Sequence, residues 1–289
     1  MIYNALIAPF AEHDFMRRGL ASVIVLAFGV APVGVFLMLR RMSLMGDAMS
    51  HAILPGVAAG FLLSGLNRFA MSIGGLIAGL VVAVLSGVVA RSTEMKEDAS
   101  LAVFYLVSLA LGVVIVSAHG SDLDLLEILF GNIQTLDQSG LMLITFNTTL
   151  SLIVVAVIYR PLVIECVDPL FLRTMGRAGA AAHLAFLALV VINLISAFHA
   201  LGTLLAVGLM ILPAAIARFW SRDISAIIAI AVLGAAVSGY FGLLAAFYMN
   251  VPAGPAIVLV AGVVYFLSMF LGPAGGILRR VITRGHLEA

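Results

Sequence analysis

Long runs of apolar residues, separated by short polar segments, dominate the sequence from end to end. We count nine such runs, at residues 19–39, 53–66, 70–90, 101–118, 141–159, 181–198, 201–219, 224–249 and 256–271. A helix that crosses the hydrocarbon core of a bilayer needs about 20 apolar residues, and only the second run is clearly short. The runs are continuously apolar, whereas barrel strands alternate at every second residue. We therefore predict an all-α, polytopic transmembrane bundle of about eight or nine spanning helices.

Composition supports a membrane protein and excludes several other classes. Apolar residues make up 63% of the chain and charged residues only 10%, against roughly a quarter charged in soluble domains. The net charge of +1 gives no reason to expect a nucleic-acid partner. Cys166 is the only cysteine, so one chain can build neither a disulfide nor a cysteine metal site. No linker rich in Ser, Pro or charge divides the sequence, and we predict a single transmembrane domain over residues 1–289.

The distribution of basic residues predicts how the helices are oriented. Arginine and lysine cluster at residues 40–41, 91–96, 160–177, 218–222 and 279–284, while residues 119–140 contain neither. The positive-inside rule assigns such clusters to the cytoplasm, which predicts a cytoplasmic C-terminus and, with nine spans, an external N-terminus. Arg17 and Arg18 fall near the outer face in that path. An eight-span path, with one short run in the interface or re-entering, therefore remains open.

The sequence contains none of the common hydrolase motifs. Lys96 is the only lysine and is followed by Glu97, so the phosphate-binding pattern G-x-x-x-x-G-K-[ST] cannot occur. H-E-x-x-H and G-x-S-x-G are also missing. We predict that the chain is not an enzyme, that it holds no permanent cofactor, and that any ATP is bound by a separate subunit.

Asp47 and His51 are the ionisable residues that most need an explanation. Such a residue at membrane depth costs about 2.5–3.5 kcal/mol on insertion scales and is a functional candidate by default. Their i,i+4 spacing places a carboxylate and an imidazole on one helix face, about 6 Å apart at Cβ, and both bind first-row dications. Two copies of the chain facing each other would supply two carboxylates and two imidazoles. Alternatively, Asp47 caps a helix that follows Gly46, and His51 rests at the headgroup boundary.

Other polar residues give weaker signals. His183 and His199 lie near the ends of the sixth run, where we expect interfacial side chains rather than metal ligands. A predicted outward-facing acidic segment contains His119, Asp122, Asp124 and Glu127. It either concentrates cations at a pore mouth or is a solvated loop.

One segment resembles a known protein family. Residues 40–57, with the sequence RRMSLMGDAMSHAILPGV, are similar to the permease subunits of the zinc/manganese/iron-chelate ABC importer family. The resemblance continues, in the same order, at residues 129–132, at Asp168 and Pro169 with Gly176, at residues 202–215 and at residues 252–255. It therefore covers nearly the whole chain.

This resemblance implies an all-helical homodimeric permease in the bacterial inner membrane, with multiple spans. It also implies two cytoplasmic ATP-binding subunits and an extracytoplasmic metal-binding protein as partners. The family's metal-binding aspartate and histidine match Asp47 and His51, and residues 168–179 resemble the loop that docks on the ATPase.

The expected function is import of a divalent transition metal into the cytoplasm. Zinc is favoured because sites with nitrogen and oxygen ligands generally bind it more tightly than manganese or iron. Manganese and iron remain alternatives. A secondary metal transporter driven by an ion gradient and a membrane scaffold that does not transport are the rival hypotheses.

Overall fold

The computed structural model describes residues 6–65, 67–95, 97–118, 138–168 and 177–278. Within these ranges the chain consists of helices joined by short turns and forms no strand, so the predicted all-α class is confirmed. The helices are α1 Ala8–Glu12, α2 Asp14–Leu39, α3 Ser43–Ala52, α4 Leu54–Ser64, α5 Arg68–Ser92, α6 Glu97–Ala118, α7 Gln138–Val167, α8 Arg177–Leu201, α9 Thr203–Trp220, α10 Ile224–Met249 and α11 Ala253–Leu271.

Eight stretches in the described residues are long and apolar enough to cross a membrane, and Leu204–Trp220 is a shorter apolar helix. The predicted range of eight or nine spans is therefore confirmed. The second apolar run, however, begins earlier than predicted. It belongs to a 22-residue span, Ser43–Ser64, which α3 and α4 form together. Asp47 and His51 thus lie inside this span rather than before it.

Helix α2 is the central helix of the bundle. In its most apolar part, 72% of the residues are buried, and it packs against α7, α8, α9 and α10. Val23, Leu26 and Val30 are fully buried along it. In contrast, α5, α6, α7 and α11 turn much of their apolar surface outward, as expected for helices whose outer face contacts lipid.

Glycines allow several helices to approach each other closely. A Cβ at Gly34 of α2 would lie 1.8 Å from the carbonyl oxygen of Met210 in α9, and a Cβ at Gly56 of α4 would lie 2.0 Å from that of Gly74 in α5. No side chain fits at such distances. Because lipid tails are as apolar as the side chains, close backbone packing of this kind is a main source of helix association in membranes.

The span Ser43–Ser64 is broken between α3 and α4. Pro55 has no N–H and cannot donate to the carbonyl of His51, so the helix is interrupted there. The hydroxyl of Ser108 on α6 donates to the carbonyl oxygen of Ala52 at 2.8 Å. Helix α6 can approach this closely because residue 112 is glycine: a Cβ at Gly112 would lie 3.1 Å from the nitrogen of Pro55. Helix α6 therefore stabilises the break that directly follows His51.

Contacts between residues distant in sequence define one end of the bundle. Arg40, after α2, bonds to Glu165 near the end of α7 and to His183 near the start of α8, so these three helix ends lie together. Sequence analysis had assigned residues 40–41 and 160–177 to the same side of the membrane, in agreement with this arrangement. Which side is cytoplasmic stays a prediction.

The α4–α5 contact gives a test with a control on the same helix. We expect Gly74→Ala to destabilise the bundle by about 1–3 kcal/mol, the usual range for overpacking, because its Cβ would lie 2.1 Å from the carbonyl oxygen of Gly56. Gly87→Ala, which meets nothing within 4 Å, should be neutral or gain up to about 1 kcal/mol of helix propensity. Thermal unfolding midpoints of the detergent-purified variants would measure this difference, and equal midpoints would contradict the close contact.

Candidate metal centre

Asp47 and His51 lie on the same face of α3, one turn apart. The Nε2 atom of His51 is 3.9 Å from Oδ1 of Asp47, so the pairing predicted from the i,i+4 spacing is present. The Asp47 side chain is 60% exposed and that of His51 is 30% exposed. Both side chains therefore remain accessible to a ligand from outside the bundle.

The explanation of Asp47 as a helix cap is wrong. Helix α3 begins at Ser43, its N-cap is Met42, and no side chain caps it. Asp47 thus lies a full turn inside the helix, where the backbone N–H groups bond to preceding carbonyls. Its carboxylate serves no helix end, and the neighbouring group with which it pairs on α3 is His51.

The two faces of α3 differ sharply in their surroundings. Met45 and Met49 point into the bundle and are almost fully buried, whereas Leu44 on the Asp47 face is 76% exposed. A carboxylate turned toward hydrocarbon is unfavourable by several kcal/mol. The exposed face of α3 therefore needs a polar or protein surface opposite it.

Helix α6 supports the candidate site from one side. The ring of Tyr105 lies 6.2 Å from that of His51 between centroids, at an interplanar angle of 31°, and Ser108 bonds to the carbonyl of Ala52. Sequence analysis did not single out either residue. They are three positions apart on one face of an apolar run, but a tyrosine or serine in such a run is common, so the pattern alone carried no signal.

Asp47 and His51 could supply two metal ligands, and within the described ranges no third His, Cys, Asp or Glu side chain joins them. Among the described residues, no group of three or more His, Cys, Asp or Glu side chains could hold a metal ion. The predicted acidic segment (His119, Asp122, Asp124 and Glu127), the motif at 129–132 and residues 169–176 lie outside the described residues. The backbone of His199 belongs to α8, but its side chain is also outside that set.

A second charged cluster is buried where sequence analysis expected polar segments between apolar runs and an interfacial histidine. Nη2 of Arg40 donates to Oε1 of Glu165 and contacts Nδ1 of His183 at 2.6 Å, and that Nδ1 is 3.2 Å from Oε1 of Glu165. Their side chains are only 5% (Arg40), 14% (Glu165) and 15% (His183) exposed. Glu165 was missed because α7 continues to Val167, well beyond the apolar run that ends at residue 159.

Comparisons with known proteins agree on one family. Residues 12–272 match the model of the ABC 3 transport family. The chain is 32% identical over 272 residues to the manganese import system permease protein ScaB of Streptococcus gordonii, covering 93% of this chain and 96% of the relative. It is 28% identical over 269 residues to the chelated iron transport system membrane protein YfeD of Yersinia pestis, covering 93% of this chain and 89% of the relative. The solved structure of PsaBC from Streptococcus pneumoniae in complex with Fab superimposes with a TM-score of 0.83 at 31% identity, covering 96% of this chain and 99% of that one.

The bond from Ser108 to the α3–α4 break can be tested by Ser108→Ala. We expect a loss of about 0.6 kcal/mol, the average for hydrogen bonds between membrane helices, together with weaker metal binding because His51 directly precedes the break. Ser86→Ala is the matched control, since its buried hydroxyl bonds to Ala83 within its own helix. Thermal midpoints and radiometal binding would be measured for both variants. If Ser108→Ala and Ser86→Ala behave alike, α6 does not stabilise the site.

Proposed function

The chain belongs to the ABC 3 transport family, and on that premise we propose that two copies of it form the path by which an importer brings Mn²⁺ into the cytoplasm. As a member of this family it is a multi-pass membrane permease of a bacterial ABC importer, and ATP hydrolysis belongs to a separate subunit. Family membership sets aside the gradient-driven and scaffold hypotheses. The homodimer, the metal and the binding residues are parts of the proposal.

The observation that carries the proposal is the exposed Asp47–His51 pair on a membrane-spanning helix. A carboxylate and an imidazole with donor atoms 3.9 Å apart can bind one metal ion together after a small side-chain rotation. If a second copy faces the first across a two-fold axis, the pair is doubled. The resulting two carboxylates neutralise a dication, which is what a site with little water around it requires.

The position of the pair in its span suits a transport path. At 1.5 Å per residue, the span Ser43–Ser64 is about 33 Å long, with Asp47 about 6 Å and His51 about 12 Å from its α3 end. The break at Pro55 follows within one turn, and broken helices line the substrate sites of many transporters because their freed carbonyls can contact an ion. The pair therefore lies between the membrane boundary and the break.

The choice of metal rests on the donor atoms and on the relatives. Affinity order alone favours zinc, as predicted from the sequence, and imidazole suits zinc well, whereas carboxylate and carbonyl oxygens suit manganese. ScaB is named for manganese import and YfeD for chelated iron transport. We therefore place manganese first and zinc second, with iron as the remaining alternative.

The partners follow from the importer class. Permeases of this kind work with an ATP-binding subunit and a substrate-binding protein, and we propose two ATP-binding subunits on the cytoplasmic side and one external metal-binding protein per permease dimer. Residues 168–179, which resemble the docking loop of the family, are the proposed contact with the ATP-binding subunit.

Substitution of Asp47 tests the metal site. We expect Asp47→Asn to reduce uptake of radioactive manganese at low external metal by roughly tenfold or more, because the carboxylate charge that neutralises the ion is lost from both copies. His51→Ala keeps this charge but removes two donors, so its loss should be smaller and partly restored at high metal concentration. Uptake would be measured in cells at matched amounts of membrane protein, with uptake of radioactive zinc measured in parallel.

Asp14→Asn is the matched control for this experiment. Asp14 is another exposed aspartate, and its carboxylate pairs with Arg17 at 2.7 Å, but it lies at the start of α2, far along the chain from α3. Its substitution should leave uptake unchanged. Uptake by Asp47→Asn close to that of the parent would reject Asp47 as a ligand, and faster uptake of radioactive zinc than of radioactive manganese by the parent would reverse the proposed order of metals.

A further inference from the structure

A buried cluster of Arg40, Glu165 and His183 lies where the turn before α3 meets the end of α7 and the start of α8. Helix α3 carries the proposed metal ligands, and the α7 and α8 ends flank the proposed ATPase contact. We propose that these three are positioning residues, which transmit movement of the α7 and α8 ends to α3 and so couple ATP hydrolysis to movement of the metal. This inference rests on the proposed function. It assigns a role to residues that do not themselves contact the metal.

The cluster is built to hold a fixed geometry. Arg40 is 5% exposed, and its guanidinium donates to Glu165, contacts His183 and lies 4.7 Å from the ring centroid of Phe186 on α8. Since a guanidinium is always protonated and only donates, Nδ1 of His183 accepts from it. Burial keeps water from replacing these bonds, so the three side chains must move together.

On one side, the cluster holds the turn between α2 and α3. Only residues 40–42 separate these helices, and the turn is fixed by backbone bonds from Arg40 to Phe36 and from Met42 to Leu37. Arg41 has a φ of 60°, a left-handed conformation that few residues other than glycine adopt. A short turn fixed by these backbone hydrogen bonds has little conformational freedom. A displacement of Arg40 is therefore passed directly to the first turn of α3, and Asp47 lies in the next one.

On the other side, the cluster holds α7 and α8 close to where they meet the connecting segment. Glu165 is in the last turn of α7, which ends at Val167, and His183 is in the second turn of α8, which begins at Arg177. Any rearrangement that separates or rotates these two ends must either carry Arg40 with it or break a buried ion pair. If Arg40 is carried along, α3 moves whenever the ATP-binding subunit moves the α7 and α8 ends.

Glu165→Gln separates this role from a merely structural one. The amide has the shape of the carboxylate and can still accept one bond, but the ionic link to Arg40 is lost. The complete complex, with its ATP-binding subunit and external binding protein, would be reconstituted in liposomes, and manganese uptake and ATP hydrolysis would be measured on the same sample. We expect the number of metal ions imported per ATP hydrolysed to fall about tenfold, while manganese binding to Asp47 and His51 is retained.

The ratio of uptake to hydrolysis is chosen because it does not depend on how much protein folds. A structural role lowers yield and thermal stability but leaves the ratio unchanged, and an unchanged ratio would overturn the proposal. If Glu165→Gln fails to assemble, His183→Ala, which retains the Arg40–Glu165 pair, should show a smaller fall in the ratio, and no fall would again overturn it. Glu165→Asp should recover part of the coupling, because it restores the charge on a shorter side chain.

Two controls keep this test distinct from that of the proposed function. Arg17→Gln breaks the other described pair between an arginine and a carboxylate, whose side chains are 66% and 73% exposed, and should leave the ratio at the parent value. If the parent complex itself imports no manganese or zinc, the proposed function fails. If the parent imports metal and Glu165→Gln imports it with the same ratio, only the coupling role fails.

Discussion

The cost of leaving a polar group unpaired in hydrocarbon is the constraint on which this structure depends. It makes each spanning segment a helix, because only a helix satisfies its own backbone within one segment. Where Pro55 interrupts a helix, Ser108 bonds to the carbonyl of Ala52. Where charges enter the bundle, Arg40 and Glu165 are buried as a pair. Asp47 departs from this behaviour, since it lies within a span and yet is 60% exposed, and this departure is the reason for proposing its face of α3 as the functional surface.

Close packing around α2 fixes the position of the helix that carries this surface. The hydrophobic effect supplies little force between helices in lipid, so contacts such as Gly34 with Met210 and Gly56 with Gly74 hold the bundle together through van der Waals contact. Met45 and Met49 fix the inner face of α3 in the same core. The outer face of α3 is thereby held in one orientation, and the spacing between Asp47 and His51 does not depend on a flexible loop.

The apolar runs predicted the helical class and the number of spans, since hydrophobicity over about 20 residues is a local property. The pairing of Asp47 with His51 was predictable for the same reason, because helical periodicity alone brings them together. The start of the second span was not predictable, because Ser43, Asp47 and Ser50 lower the hydropathy of α3 until it resembles a loop. The cluster of Arg40, Glu165 and His183 depends on residues more than 100 positions apart along the chain. The positive-inside rule places residues 40–41 and 160–177 on one side of the membrane, but it does not indicate which side chains meet there.

The two charged groups near α3 differ in a way that suits the proposed dimer. The Arg40 cluster contains its own compensating charges and is nearly shielded from solvent, so it has no need of an ion and can act as a permanent link. Asp47 has a neighbouring imidazole but no arginine or lysine beside it among its described contacts, and two such carboxylates facing each other repel when no cation is present. A dication between them replaces this repulsion with attraction to both. In the proposed dimer, occupancy of the site therefore changes the force between the two α3 helices, and the short turn at residues 40–42 is placed to pass that force to α7 and α8.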